Sequence, residues 1–264
     1  MIDNISIFVF EINKFIMIKA VVLFFTFSFA LSINSQNCVS GDCNNGYGII
    51  KMPDNSIRHG FFYNKGTGVG IDINYIGKNI LYTVYEKNRV AKPAIFEFID
   101  FTQNRSKMIV NIKSGYGLFF NSDKSKISKV HIGYDGKTKN LGVIEKTGQT
   151  TGCIAGNCKN GFGVYKFSEG TLYIGEFKNN NKNGVGFEKY SNGEEYYGEF
   201  YNNNRNGYGI YNWAPNATLK ISKYIGQWNI NKMEGKGVYY FGKHKFNAGI
   251  YKNDKLVEII TTAK

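Results

Sequence analysis

Residues with catalytic potential are few in this sequence, and the first group sits in a repeated pattern. Glu176, Glu199 and Gln227 occupy the same position of that pattern. Two carboxylates at a defined separation are what glycoside hydrolysis needs. Here the position recurs because the pattern recurs, and on an extended strand it points away from the neighbouring aromatic side chains. We therefore predict a solvated strand face and no catalytic pair.

The three histidines give no metal or acid–base signature. His59, His131 and His244 are isolated, without the spacing of a zinc protease and without a serine or cysteine partner motif. No phosphate-binding loop occurs, and the Gly-x-Gly pairs belong to the repeats. The sequence predicts a non-enzymatic chain with no catalytic residue, no metal ligand and no cofactor.

The four cysteines form two pairs with identical spacing, Cys38-x4-Cys43 and Cys153-x4-Cys158. In an oxidising compartment such pairs indicate disulfides, although four cysteines allow three connectivities. A zinc site would use all four thiolates, but the usual C-x2-C spacing is absent. The identical spacing predicts the bonds Cys38–Cys43 and Cys153–Cys158, each closing a tight loop.

The N-terminal segment has the pattern of an export signal. Lys14 and Lys19 precede the uncharged, mostly apolar run Ala20–Leu31, and polar residues follow it up to Gln36. Such a run has the length of a signal core but falls short of the roughly 20 residues that span a bilayer. We predict a signal peptide over residues 1–36 and export to the periplasm, the outer surface or the medium.

Two alternatives concern the same segment. Met17 would be a more ordinary start for a signal peptide, so the first alternative is that translation begins at Met17 and that residues 1–16 are a mis-called gene start. Ile5–Phe10 is also largely apolar, and an uncleaved N-terminal anchor is therefore the rival interpretation.

The composition favours short strands over helices. The chain of 264 residues has 31 glycines, 3 prolines, 19 tyrosines and 21 phenylalanines. Aromatic residues favour half-buried strands, and glycine supplies turns with positive φ. We expect an all-β protein with many short strands joined by glycine turns.

The net charge of +13 does not by itself indicate a nucleic-acid partner. Only four of the 33 basic residues are arginine, whereas recognition of phosphates and bases favours the arginine guanidinium. The lysines are scattered, so no concentrated basic patch is predicted. We expect no nucleic-acid partner and only weak, salt-sensitive association with anionic membranes.

A repeated pattern organises the second half of the chain. Each unit contains Tyr-x-Gly-x-aromatic, a spacer, Gly-x-Gly and a further aromatic residue. The second unit starts 23 residues after the first, and the third 28 residues after the second, because Ala214–Ser222 carries an insertion. The predicted framework residues are Tyr173, Gly175, Phe177, Gly184, Gly186, Tyr190, Tyr196, Gly198, Phe200, Gly207, Gly209, Trp213, Tyr224, Gly226, Trp228, Gly235, Gly237 and Phe241.

The first half repeats the opening of the second half at an offset of 115 residues, from Cys38 to Cys153. In both places C-x4-C is followed by Asn-Gly-aromatic-Gly after one further residue. Later glycines of the first half fall out of phase with a 23-residue period. We therefore predict a divergent β module over residues 37–152, followed by a repeat array over 153–264.

This pattern resembles the MORN repeat (membrane occupation and recognition nexus), strongly over residues 160–251 and weakly over 44–152. The doubled C-x4-C opening is similar to the start of MORN arrays in exported bacterial proteins. The resemblance implies stacked β-hairpins, and a role in protein scaffolding or in association with membrane phospholipid.

Strand geometry leads to the same architecture. Tyr173, Gly175 and Phe177 alternate and therefore face one side of a strand. Residues 179–184 are predicted as a turn, and Ser191–Gly193 as the turn into the next hairpin. Because a single hairpin is unstable in water, its neighbours must stack on it. We expect an elongated, twisted antiparallel sheet of stacked hairpins, in one layer with a thin core.

The aromatic residues carry the functional prediction. A one-layer sheet cannot bury all of them, so an exposed aromatic groove for a partner is expected. Trp213 stands beside the insertion, where the array breaks its own spacing, and is the predicted partner contact. We predict a non-catalytic binding or scaffolding surface for a protein or glycan in the cell envelope. The alternatives are a membrane-associating module and a hydrolase within residues 64–152.

Overall fold

The structure of the protein is a computed structural model. The described residues are 38–51, 57–63, 66–76, 79–86, 89–99, 105–110, 116–120, 127–132, 138–215, 222–242 and 245–263. The predicted signal peptide lies outside the described residues, as does most of the insertion Ala214–Ser222. Within the described ranges, no helix has the length and apolar character needed to cross a bilayer.

The described part of the chain is all-β, with two antiparallel sheets of ten strands each. In both sheets each strand pairs with its neighbours along the chain. The first sheet contains β1 (Cys38–Gly41), β2 (Tyr47–Lys51), β3 (Ile57–Tyr63), β4 (Gly66–Ile76), β5 (Asn79–Glu86), β6 (Arg89–Ile99), β7 (Arg105–Val110), β8 (Tyr116–Phe120), β9 (Ile127–Ile132) and β10 (Thr138–Val143). The second contains β11 (Gly152–Gly156), β12 (Gly161–Lys166), β13 (Leu172–Lys178), β14 (Asn181–Lys189), β15 (Glu195–Tyr201), β16 (Asn204–Asn212), β17 (Lys223–Asn229), β18 (Lys232–Tyr240), β19 (Phe246–Lys252) and β20 (Lys255–Ala263). The predicted stack of antiparallel hairpins is confirmed.

Two-residue turns close the hairpins of the second sheet along one edge. The turns are Asn179–Asn180, Asn202–Asn203, Ile230–Asn231 and Asn253–Asp254. All eight residues have positive φ, between 45° and 69°, which is the type I′ geometry that suits the twist of the strands. The predicted six-residue turn over 179–184 is therefore wrong, because β14 already begins at Asn181. Asparagine tolerates the left-handed region, so the hairpin closes without glycine.

A row of glycines crosses the second sheet from β11 to β19. Each glycine lies directly opposite the glycine of the next strand. The row is Gly156, Gly163, Gly175, Gly186, Gly198, Gly209, Gly226, Gly237 and Gly249. Gly175, Gly198 and Gly226 therefore occupy equivalent places, as the repeat spacing predicts.

The two sheets pack face to face around the main hydrophobic core. Ile109 and Leu118 of the first sheet are fully buried in one cluster with side chains of the second sheet. The members from the second sheet are Ala155, Val164, Ile174, Val185, Phe187, Tyr197, Tyr208, Ile210 and Ile225. The sequence predicted a one-layer sheet, and that prediction is wrong. The first sheet covers one face of the second sheet.

The chain runs along one sheet and returns along the other. After β10 the connecting segment pairs with β11, where the Gly156 N–H donates to the carbonyl of Glu145 at 3.0 Å. At the other end, the Thr261 hydroxyl of β20 donates to the carbonyl of Tyr47 in β2 at 3.1 Å. Between these ends, β7 lies against β14, β6 against β15, and β4 against β17. The last strand thus meets the first strands of the fold.

Candidate functional site

One face of the second sheet, called here the uncovered face, is turned away from the first sheet. All described members of its aromatic cluster belong to the second sheet. Tyr173 covers the facing pair Gly175 and Gly186, so a Cβ on Gly175 would come within 2.5 Å of the tyrosine ring. The Tyr173 hydroxyl donates to the carbonyl of Glu176 at 2.9 Å, and the next two units repeat this geometry. Glycine is required because the ring occupies the space of a side chain.

These tyrosines belong to a continuous aromatic ladder. Tyr173, Tyr196 and Tyr224 each meet two neighbouring rings edge to face, with centroids 5.0–5.5 Å apart and interplanar angles of 75–89°. In spatial order the ladder is Phe177, Tyr173, Phe200, Tyr196, Trp228, Tyr224 and Tyr251. All seven rings are buried. The ladder is therefore a second core that stabilises the uncovered face from within.

Burial reinforces the protonated state of the ladder tyrosines. It raises the pKa of Tyr173 and Tyr196 well above the ordinary value, and the nearest carboxylate of each unit adds to the effect. Burial also raises the pKa of Tyr251 to about 12. These hydroxyls remain protonated hydrogen-bond donors at neutral pH, which suits a structural role.

A lysine fills the space between rings in the first full unit. The ammonium nitrogen of Lys182 lies 5.1–5.7 Å from the ring centroids of Phe167, Tyr173 and Phe200. It also forms an ion pair with Glu188, and the two side chains are only 12% and 5% exposed. Because both charges are shielded from water, the ion pair and the cation–π contacts must offset the cost of desolvation.

Arg205 takes the equivalent place in the second unit. Its guanidinium carbon lies 4.4 Å from the ring centroid of Trp228 and 4.8 Å from that of Tyr211. Its Nη2 donates to a backbone carbonyl of the next turn at 2.8 Å, whereas its buried Nε has no partner among the described residues. The third unit has Met233 at this position. The position therefore needs a long side chain, and its charge stabilises the stack without being required by the repeat.

The acidic position of the repeat has a structural role. Glu176 Oε1 accepts a hydrogen bond from the Val185 N–H at 3.0 Å, and the equivalent side-chain oxygens of Glu199 and Gln227 accept at 2.7 Å from the residues nine positions later. Each of these residues sits at a β-bulge that follows the glycine row. Burial raises the pKa of Glu176, and the bond from Val185 partly offsets that. The predicted solvated face is therefore wrong here, because the side chains are half-buried and tie the two strands together.

A second group of rings borders the ladder on the return strands. This aromatic border consists of Tyr165, Phe167, Tyr190, Tyr211, Trp213, Tyr239 and Phe241. Trp213 lies between Tyr211 and Tyr239, with centroid distances of 4.8 and 5.3 Å. The backbone N–H of Trp213 donates to the carbonyl of Ser222 at 3.1 Å, and this bond joins the two ends of the insertion. Apart from Tyr211 these rings are half-buried, so part of each is open to a partner.

An open pocket of 960 Å³ lies at the start of the uncovered face. Here the second disulfide loop meets the first hairpins. The lining residues are Cys153, Gly156, Asn157, Cys158, Lys159, Tyr165, Phe167, Phe177, Asn180, Lys182 and Asn203. The pocket combines aromatic rings, amides and ammonium groups, and no motif in the sequence indicates it.

The cysteines form two disulfides with closely similar surroundings, Cys38–Cys43 and Cys153–Cys158, as predicted. The Cα atoms are 5.9 Å apart in both. In the first loop, the Asp42 carboxylate accepts hydrogen bonds from the backbone N–H groups of Asn45 and Asn44, which lower the pKa of its carboxyl group. In the second loop an amide oxygen takes the same role.

The other candidates form no site among the described residues. The His131 ring packs on Tyr116 at 4.6 Å, whereas the side chains of His59 and His244 lie outside the described residues. In the part of the chain that the structure describes, no three His, Cys, Asp or Glu side chains are grouped to hold a metal ion. Most side chains of the proposed hydrolase region, 64–152, also lie outside the described residues.

Part of the second sheet matches the model of a known protein family. The MORN repeat model matches four consecutive segments, residues 157–172, 173–195, 196–218 and 224–245. The second, third and fourth matches each begin at a ladder tyrosine, Tyr173, Tyr196 and Tyr224, and the gap after residue 218 falls largely in the insertion. No match to a curated protein is found for this chain.

Proposed function

Residues 157–245 are MORN repeats, and from this premise we propose that the protein is a non-catalytic interaction module of the cell envelope. MORN repeats are generally non-enzymatic and bind protein or membrane partners. In this chain, the uncovered face of the second sheet presents the aromatic border to a protein or glycan partner. The partner contact is centred on Trp213.

The observation that carries the proposal is the asymmetry of the second sheet. One face is sealed by the first sheet, whose Ile109 and Leu118 are fully buried against it. The other face keeps a row of half-buried rings, Trp213 among them. Rings that are held rigidly and remain partly exposed give contact area at little entropic cost, which is typical of binding surfaces.

The buried polar groups of this face support binding rather than turnover. Lys182 is paired with Glu188, and the Glu176 carboxylate holds the Val185 N–H. The Tyr173 hydroxyl is committed to a backbone carbonyl. Groups with such partners stabilise the scaffold and would have to break these contacts to act on a substrate.

The proposed location rests on two features. The N-terminal segment has the pattern of an export signal. The two disulfides support an oxidising compartment, since such bonds persist in the periplasm and outside the cell.

Capture from an envelope extract tests the partner surface when variants are compared side by side. Trp213→Ala should lose most of the material that the wild-type chain retains, because it removes the central ring of the border. Ile230→Asn is the matched control, since this exposed residue lies at the turn edge and away from the border. Protease or periodate treatment of the extract then assigns the partner as protein or glycan. Equal capture by wild type and Trp213→Ala would reject the proposed surface.

A second candidate, association with anionic membranes, has its own observation. At the turn edge, Tyr201 and Ile230 are 59% and 64% exposed, and Lys178, Lys232 and Lys252 are exposed beside them. Apolar side chains flanked by lysines suit a membrane surface, with about 1 kcal/mol for each lysine. We expect weak binding to phosphatidylglycerol vesicles that is lost by about 0.15 M salt, where screening acts over ~8 Å. Tight binding at that salt, abolished by Ile230→Asn, would make this the primary function.

A further inference from the structure

The pocket at the start of the uncovered face marks a break in the repeat. Inside the ladder Tyr173, Tyr196 and Tyr224 each lie between two rings, with centroids 5.0–5.5 Å away. Phe177, the first ring, meets Tyr173 on one side at 5.0 Å. On its other side the next ring is Tyr165 at 6.5 Å, and the disulfide loop replaces a preceding unit. The ladder therefore ends at an open space lined by ring surfaces.

Asn180, the turn residue beside this space, lacks a hydrogen bond that the equivalent residues of the later turns make. In the later turns Asn203, Asn231 and Asp254 each accept a hydrogen bond at 2.8 Å from a backbone N–H of the preceding hairpin. For Asn180 the equivalent donor is the Lys159 N–H, which instead donates to Asn157 Oδ1 at 3.0 Å. The side-chain amide of Asn180 consequently makes no hydrogen bond to any described residue, and it lines the pocket.

Further polar groups at the pocket are also available. The Lys159 ammonium and the Tyr165 hydroxyl have no hydrogen-bond partner among the described side chains and backbone groups. Lys182 is already paired with Glu188. The charged residues that line the pocket are all lysines. The pocket therefore offers ring faces together with uncommitted donors and no unpaired carboxylate.

We propose that this pocket binds a saccharide ring, neutral or carrying a carboxylate. The C–H face of a pyranose packs on aromatic rings such as Phe167 and Tyr165, while its hydroxyls pair with the Asn180 amide and the Lys159 ammonium. A purely aromatic guest would leave the amide unused, and a simple anion would gain nothing from the rings. This inference rests on the proposed function, since it names a glycan as the partner at one end of the same face.

In the test, the protein is titrated with two probes, an N-acetylglucosamine trimer and a galacturonate trimer, and binding is measured by NMR. We expect saturable shifts of the Asn157 and Asn180 side-chain amides with at least one probe. Asn180→Gly keeps the left-handed turn and removes the amide, so it should weaken binding about fivefold to tenfold, as for one lost hydrogen bond, and leave stability unchanged. Asn231→Gly is the matched control, which should lower stability and leave binding intact.

Three results would overturn the pocket assignment. These are no saturation by either trimer up to about 10 mM, binding that survives both Asn180→Gly and Tyr165→Ala, and binding of phenol at the same amides without any saccharide. Because Trp213 lies outside the pocket lining, capture that depends on Trp213 in the absence of saccharide binding would reject the pocket and leave the proposed function standing.

Discussion

The two sheets begin with the same disulfide-closed turn and then diverge. In both loops the second cysteine sulfur packs under a glycine, Gly48 in the first sheet and Gly163 in the second, at 2.6 and 2.7 Å from where a Cβ would stand. In the second sheet the glycine row then continues across eight strands. In the first sheet Gly48 faces Gly60, but Asp72 stands on the other side of Gly60. The row stops there.

The difference shows that the glycines and the ladder tyrosine form one unit. Arg58 occupies the position that corresponds to Tyr173, 115 residues earlier. A tyrosine ring can cover two strands only where both present glycine, so losing one glycine removes the reason to keep the tyrosine. The first sheet packs instead against the second, and the ring centroids of Tyr47 and Phe246 are 5.1 Å apart across the interface. The first sheet thus acts as a cover, and the second sheet carries the aromatic ladder.

The largest effect should come from giving the second sheet the defect of the first. In Gly198→Ala the new Cβ would lie 2.5 Å from the Tyr208 carbonyl oxygen and 2.6 Å from the Gly209 Cα, and neither backbone atom can move without disturbing strand pairing. We expect the free energy of unfolding to fall by about 3 kcal/mol in urea titrations. Gly242→Ala is the control, since its nearest contact is a lysine side chain at 3.4 Å. An equal loss of stability in the two variants would contradict the conclusion that the glycines and the ladder tyrosine form one unit.

Removing each disulfide in turn sharpens the comparison. The loops are equally short, so loss of chain entropy alone predicts about 2 kcal/mol for either pair of cysteine-to-serine changes. Cys158 also packs with the aromatic ladder, whereas Cys43 packs with Ile50 and Phe62. We expect the larger loss of stability in the double variant Cys153→Ser/Cys158→Ser, measured by thermal and urea unfolding. A larger loss for the first loop would show that the cover, and not the array, depends more on its disulfide.

The turn edge of the array contains one residue that does not suit its conformation. Ile230 has a φ of 45°, where a β-branched side chain is strained, while the equivalent residues are asparagines. Ile230→Asn should raise the free energy of unfolding by about 1 kcal/mol. The reverse change, Asn202→Ile, should lower it by a similar amount. If both variants lose stability, the side chain of Ile230 must contribute a contact that offsets the strain.

The smallest expected effect concerns the bulge position, where two units have glutamate and one has glutamine. Burial raises the folded-state pKa of Glu176 above its ordinary value of 4.5. The stability that protonation brings is thus fully present below 4.5 and is lost as pH rises through the raised pKa. Relative to Glu176→Gln, the wild type should lose stability in urea titrations as the pH rises above about 4.5. A wild type that gains on the variant over this range would show that the ionised carboxylate is favoured there.

Local periodicity made much of the second sheet predictable. Tyr173, Gly175 and Phe177 share a face, and each later unit keeps the same spacing, so strand, hairpin and glycine equivalence all follow from the sequence. The disulfides follow from the matched C-x4-C pairs. Each of these features depends on residues close together in the chain, which is why a pattern reveals them.

Contacts between distant segments were not predictable in the same way. The packing of Ile109 and Leu118 on the second sheet joins segments without a shared period. Lys182 and Arg205 stand 23 residues apart, so their equivalence could be read from the sequence. The burial of the Lys182–Glu188 ion pair beside aromatic rings cannot be inferred from spacing alone. The release of Asn180 depends on a competing bond inside the disulfide loop. Only three-dimensional geometry shows it.

Fluorescence of Trp213 tests the central claim, that the uncovered face is the partner surface, most directly. The chain has two tryptophans, and Trp228→Phe leaves Trp213 as the single reporter while keeping an aromatic ring in the ladder. Quenching by acrylamide is measured for the free protein and for the protein bound to the envelope fraction that it retains. Because Trp213 is half-buried when free, the account predicts a clear fall in quenching on binding. Unchanged quenching in the bound state would contradict it and place the partner elsewhere on the molecule.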